Sequence, residues 1–257
     1  MNNKFIKFLI IVNGLMLPIL VGFGIYQISK EFFPSKKDFP DGIILGEELK
    51  VAKKDSVALQ GLKYYSPRDL YNSKNTYLPI SLLTYEEEKR INKLASVAND
   101  IGDPLLKFVN VIFLDENYQV ITSLLDKKAS VLQIEPQRKS YKLERNELDK
   151  TVKYIAYLIA FEDSNKDGKL NSADNHDLYL SNLNGKNLKK ITSNINLDRF
   201  EFMNLNSQIF IKYTDRENIR EEHKKQRFAI YDIESSKLLN MSSIDKELDD
   251  LEKIIIN

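Results

Sequence analysis

From about residue 105 onward, apolar and polar positions alternate with a period close to two, and clusters of Asn, Asp, Gly and Lys interrupt them. The runs FVNVIFLD, YQVITSLL and ASVLQIE are strand-like, and together they predict a predominantly antiparallel β body. Residues 154–161, YIAYLIAF, are aromatic and branched with no helical stripe, which predicts a buried strand. In residues 176–183, HDLYLSNL, Leu178, Leu180 and Leu183 alternate roughly with polar partners before the turn Asn184-Gly185, which predicts another. Earlier in the chain the period lengthens. Residues 84–87 have capping-box spacing, and Ile91, Leu94, Ala95 and Ala98 then share one face, so a helix is predicted over 85–99. Near the end, Ser242 with Asp245 is read as the cap of a short helix bearing Ile244, Leu248 and Leu251, with residues 254–256 returning as a strand.

The longest apolar run lies at residues 8–28, where no charged side chain occurs. A helix of that length, rising about 1.5 Å per residue, would cross a hydrocarbon core of about 30 Å. The expectation is therefore an uncleaved transmembrane helix, a signal anchor, since Pro18, Gly14, Gly22 and Gly24 are tolerable in such a span. A cleaved signal peptide would need a shorter apolar core and a small-x-small site, which only residues 22–24 approach. Lys4 and Lys7 precede the run while Lys30, Lys36 and Lys37 follow it, so the short amino terminus is what argues for an inside position. The expected layout is a cytoplasmic tip at 1–7, the span at 8–28, a linker at 29–40 containing Pro34 and Pro40, a mixed region at 41–103 and a β-rich domain at 104–257. The fold class expected is mainly β, propeller-blade-like or a multi-strand sheet, with that transmembrane helix and one or two short soluble helices.

A chain of 257 residues that is 42% hydrophobic has the material for a real core. Lys and Arg total 38 against 37 Asp and Glu, so no net field recommends nucleic acid as a partner. There is no cysteine, which removes disulfides, thiolate metal sites and cysteine nucleophiles together.

The segment richest in chemistry is DSNKDGKLNSAD, residues 163–174. Asp163, Asn165, Asp167, Asn171 and Asp174 stand at positions 1, 3, 5, 9 and 12, with Gly168 at the sharp turn of position 6. A hard divalent cation needs six to eight oxygens, and five such side chains plus the backbone carbonyl of Lys169 at position 7 can wrap one ion. The spacing is that of an EF-hand calcium loop. With Asn at positions 3 and 9 and Asp at position 12, it resembles the loops of dockerin modules and similar bacterial extracellular repeats more than the cytosolic EF-hand. That resemblance implies Ca2+ held by Asp163, Asn165, Asp167, Lys169, Asn171 and Asp174. Lys166 and Lys169 offset the three carboxylates, so a dissociation constant on the order of 0.1 to 1 mM is expected. The plain alternative is an Asp/Asn/Gly turn that binds nothing. Because strands are predicted on both sides, the ion would staple neighbouring strands of a sheet.

Two later segments repeat one plan about fifty residues apart, placing Asp215 in register with Asp163. LYLSNLNGKNLKKIT resembles blades of TolB-type and WD-repeat β-propellers, which implies a strand, long loop, strand, tight turn and strand in each unit. About three such units follow Leu105, so a partial propeller and a twisted multi-strand sheet are both expected. No nucleophile motif or phosphate loop accompanies the two histidines, His176 and His223, and a solvated His176 is expected at the start of its strand. The function expected is a membrane-anchored, calcium-binding periplasmic β module in the bacterial inner membrane that binds an envelope protein or glycan. The alternative is a calcium-stabilised envelope hydrolase built on carboxylate pairs such as Glu86 with Glu87 or Asp249 with Asp250.

Overall fold

The structure is a computed structural model and describes residues 42–52, 54, 60–84, 108–140, 148–216 and 226–256, together with Gly14, Met16, Leu20, Val21 and Phe23. The chain divides into two compact units, Met1–Phe39 and Pro40–Asn257. Among the described residues no helix is long and apolar enough to cross a membrane, which overturns the expected transmembrane helix at 8–28. An apolar composition only permits insertion, whereas a span needs about 20 residues in one unbroken helix. Of that stretch, the five described residues are helical and exposed, and the rest lies outside the described residues. The single-pass inner-membrane placement with a periplasmic domain rested on that helix and falls with it. The helix expected at 85–99 and the linker at 29–40 also lie outside the described residues.

The second unit is mainly β. Successive hairpin pairings build three four-stranded antiparallel meanders. The first holds β2 (Gln60–Tyr64), β4 (Thr76–Thr84), β5 (Phe108–Leu114) and β6 (Val120–Ser123), with the short β3 (Arg68–Asp69) beside β4. The second runs β7 (Ser130–Pro136), β8 (Tyr154–Ala160), β10 (Asp177–Asn182) and β11 (Lys189–Lys190). The third runs β12 (Ile195–Met203), β13 (Gln208–Asp215), β14 (Arg227–Asp232) and β15 (Lys237–Asn240). A single pairing, Phe108 with Val131, joins the first two into one nine-stranded sheet. Outside the meanders, β1 (Ile43–Ile44) pairs with β9 (Lys169–Leu170), and the helix α1 (Gly46–Ala52) follows β1 directly.

β8 explains why the meanders stack. Side chains alternate across a strand, so its seven apolar positions present two apolar faces. Ile155, Tyr157 and Ile159 enter a core with Val111 and Phe113 of the first meander. Ala156 and Leu158 enter a second core with Ile209, Ile211 and Tyr231 of the third. The middle meander is thus buried on both faces at β8, which is why YIAYLIAF lacks the polar alternation of a half-exposed strand. The turn between β10 and β11 closes against the first core. Gly185 has φ of 75°, and a Cβ there would collide with the ring of Phe113.

Polar side chains lock the segment that leads into β8. Gln137 accepts from the N–H of Lys153 (2.7 Å) and of Tyr154 (2.9 Å), and donates to the carbonyl of Asn206 (2.8 Å) in the third meander. Asp149, only 3% exposed, accepts from the N–H of Ser140 (2.8 Å) and from both the N–H (2.9 Å) and hydroxyl (2.5 Å) of Thr151. Burial pushes its carboxyl up, but the hydrogen bonds from Thr151 and Ser140 outweigh this and hold it below the ordinary carboxylate range. A depressed native pKa stabilises the fold above the unfolded value near 3.8, and that contribution disappears as pH falls through the native value. Asp149→Asn should therefore lower the melting temperature at pH 7, and the gap from wild type should narrow below about pH 4. Parallel melts at pH 7 and pH 3 would check it; a gap that widens in acid would refute it.

The second helix, α2 (Ser242–Ile256), continues helical to Ile256, so no terminal strand forms among residues 254–256. Asp245 does not serve as a cap there; it reaches Arg227 Nη1 (3.4 Å), whose Nε also binds Asp215 (2.7 Å).

Candidate metal centre

Residues 163–174 connect β8 to β10, and these two strands pair directly, with Ile159 opposite Asp177. The loop is folded around its own side-chain oxygens. Asp163 Oδ2 accepts from Gly168 N–H (2.9 Å) and its Oδ1 from Asp167 N–H (3.2 Å). Asn165 Oδ1 accepts from the same Asp167 N–H (3.0 Å), Asp167 Oδ1 from Lys169 N–H (2.9 Å) and Asn171 Oδ1 from Ala173 N–H (2.7 Å). Asp174 closes the ring, accepting from Ser164 N–H (2.7 Å) and Asn171 N–H (2.8 Å). Each of these bonds fixes a side chain that alternates with the turning backbone. A carboxylate oxygen keeps a further lone pair after accepting one N–H. Gly168, at φ of 80°, supplies the turn at position 6.

The carbonyl at position 7 is set by strand pairing. Residues facing each other in an antiparallel pair alternate between those that exchange hydrogen bonds and those whose polar groups point apart. Leu45 N–H donates to the Gly168 carbonyl (2.8 Å), so the next pair inward, Ile44 with Lys169, is of the outward-pointing kind. The Lys169 carbonyl therefore turns away from β1. Ile44 N–H, turned the other way, meets Gln60 Oε1 (3.4 Å), and Gln60 Nε2 donates to the Gly42 carbonyl (2.6 Å). Gln60 thus acts as a surrogate neighbouring strand for β1.

Leu170, at position 8, is 2% exposed and anchors the loop in the protein. Gly42, with φ of 102°, crosses directly over it, and a Cβ there would collide with the Leu170 carbonyl oxygen and Asn171 Cβ. Asn171 and Asp174 are buried, whereas Asn165 and Asp167 are exposed, so the loop has an inner wall and a solvent-facing rim. His176 is buried at 7%, not solvated as expected. Its Nδ1 meets the carbonyl of Asp174 (2.8 Å) and its Nε2 the hydroxyl of Ser130 (3.1 Å). Burial holds the imidazole below its ordinary range, so it is neutral, and the carbonyl contact places the proton on Nδ1. His176 therefore fastens the end of the loop to β7, and it is not free to ligate.

All the oxygens on offer are hard donors, which suits calcium or magnesium and does not suit a soft metal. Among the described residues no three His, Asp or Glu side chains gather into a metal-holding cluster. Asp163, Asp167 and Asp174 are thus not brought together as a three-carboxylate group, and the expected set would need Asn165, Asn171 and the Lys169 carbonyl as well. Asp215, the position in register with Asp163, is occupied by Arg227, so the third meander repeats the strand plan without repeating the oxygen set. Sequence reasoning missed Gly42, Gln60 and the Ile43–Ile44 strap. They lie more than a hundred residues from the loop, and nothing in DGIIL marks them as its partners. His223, Glu86 and Glu87 lie outside the described residues.

Compared with known proteins, the chain matches no family model, no curated protein and no solved structure. Function is argued from the site alone.

Proposed function

We propose that residues 163–174 bind calcium and that the chain is a calcium-stabilised β scaffold for interaction with a protein or glycan. The observation that carries this reading is the loop's self-organisation: side chains at positions 1, 3, 5, 9 and 12 accept from the loop's own N–H groups, and the Lys169 carbonyl is left unspent by β1. Asp163, Asn165, Asp167, Asn171, Asp174 and that carbonyl would be the ligands. The ion's contribution would be to tie the loop's oxygens together and so brace the junction of β8, β10 and β1.

A binding role agrees with the acids of the second and third meanders. Glu135 and Glu201 border a common hollow, and each is bound to its own arginine, Arg138 at 2.8 Å and Arg199 at 3.0 Å. Asp250 on α2 is held by Lys253 (3.0 Å). Neither arrangement offers the pair of opposed free carboxyls that glycoside hydrolysis requires.

Calorimetric titration of the full chain with calcium tests the reading. One site per chain with a dissociation constant on the order of 0.1 to 1 mM is expected. Absence of heat at several millimolar calcium, or tighter binding of zinc, would refute it.

A further inference from the structure

The first meander has one face in the core and one face bare. On the bare face Leu62 pairs across strands with Leu82, and Tyr64 with Ile80. Leu62 is 68% exposed and Tyr64 77%, although their cross-strand partners are partly or fully buried. Large apolar side chains held in register on a sheet face, yet left in water, mark a binding surface more often than a random exposed residue does. Here the face is not flat. β1 and α1 stand along one side and contribute Ile43, Ile44 and Leu49, making a groove of about 1010 Å3. This exceeds the usual lower limit for small-molecule sites several-fold.

Two polar side chains of the walls, Asn110 and Gln60, are already engaged within the protein. Asn110 accepts from the N–H of Leu125 (3.1 Å) and of Val111 (2.8 Å) and donates to the Leu125 carbonyl (2.9 Å). Gln60 is spent on Gly42 and Ile44. Among the described residues the lining is mostly apolar, with Ser123 as a further polar side chain, so the groove rewards burial of hydrocarbon. The charged residues of the described lining are the consecutive Lys127 and Lys128 with a single acid, Asp126. The Lys127 ammonium lies over the ring of Phe161, 4.1 Å from its centroid, a contact that leaves its charge in place.

We propose that this groove binds a free single-chain anionic amphiphile, a fatty-acid-like carboxylate, with its alkyl chain along Leu62, Leu82 and Ile112 and its head group at Lys127 and Lys128. The β1 wall pairs with β9, which belongs to the 163–174 loop, but that pairing and the Gln60 bond form without an ion, so the titrations below are run in the absence of calcium and their outcome does not turn on the calcium reading.

The test is calorimetric titration of the full chain with hexanoate, decanoate and dodecanoate below their micellar concentrations, with dodecylammonium as the charge control. Affinity should rise by up to about fourfold per added methylene, and dodecanoate should bind at least tenfold tighter than dodecylammonium. Leu62→Asp alters an already exposed position, so the protein should melt as wild type does while losing dodecanoate binding more than tenfold. The double substitution Lys127→Glu and Lys128→Glu should abolish the preference for carboxylate over ammonium. Equal affinity across chain lengths, equal binding of the cation, indifference to Leu62→Asp, or association with anionic lipid vesicles in place of free dodecanoate would each overturn the proposal.

Discussion

Replacing Tyr157 with alanine should lower stability by about 3–5 kcal/mol, the largest loss expected of any single truncation in this chain. Tyr157 is fully buried on the β8 face that meets the first meander, and its hydroxyl lies 2.9 Å from that of Ser181 on the neighbouring β10. Truncation removes a ring from the first core and leaves a cavity that the backbone of a central strand cannot collapse around. For a protein of this size the melting temperature should fall by roughly 6–15 °C. Tyr157→Phe separates the two contributions. It keeps the ring, and Ser181 still bonds the Asn182 carbonyl (2.9 Å), so a loss of only about 1 kcal/mol is expected. Chemical denaturation of the three proteins decides it; equal losses for the two variants would show that the hydroxyl, not the packing, matters.

The second large effect lies between the middle and third meanders. Arg216, at the end of β13, donates through Nη2 to Asp177 (2.9 Å) and to the carbonyl of His176 (3.0 Å), and both members of the ion pair are largely buried. Removing one partner of a buried pair strands the other charge, at a typical cost of 3–5 kcal/mol. Lys190 also contacts Asp177 (2.6 Å) and retains part of the compensation, so Arg216→Met should cost about 3 kcal/mol, the lower end of that range. Combining it with Asp177→Leu should recover much of the loss, since the stranded carboxylate is gone. A double variant no more stable than Arg216→Met would mean that the bond to the His176 carbonyl, not the charge pair, joins the layers.

Strand identity in the β body could be read from residue pattern, because period-two alternation and Asn-Gly punctuation act locally. β8, β10 and the β10–β11 turn fall where YIAYLIAF, HDLYLSNL and Asn184-Gly185 placed them. The plan shared by β8–β10–β11 and β13–β14–β15 was likewise visible as a fifty-residue offset. What pattern could not supply was partnership over distance. The pairing of Ile43–Ile44 with the loop, the Gln60 side chain standing in for a strand, and the burial of His176 against Ser130 all depend on residues brought together only by the fold. The apolar run at 8–28 is the opposite case: its composition permits a spanning helix without requiring one, and among the described residues no helix is long and apolar enough to cross a membrane. At the other end, Ile254–Ile256 looked strand-like in isolation, yet the helix begun at Ser242 propagates through them.

The central claim is that residues 163–174 hold a calcium ion that braces the sheet junction. The most direct measurement is the melting temperature of the wild-type full chain and of Asp167→Ala, each with and without calcium at about ten times the dissociation constant. Asp167 is exposed and points only within the loop, so its loss leaves the ion-free fold nearly intact. Linkage predicts a calcium stabilisation of about 1.4 kcal/mol in the wild type, absent in the variant, with nearly equal melting temperatures for the two without calcium. A wild-type protein whose melting temperature does not move in calcium, or a variant that gains as much from the ion as the wild type does, would contradict the account.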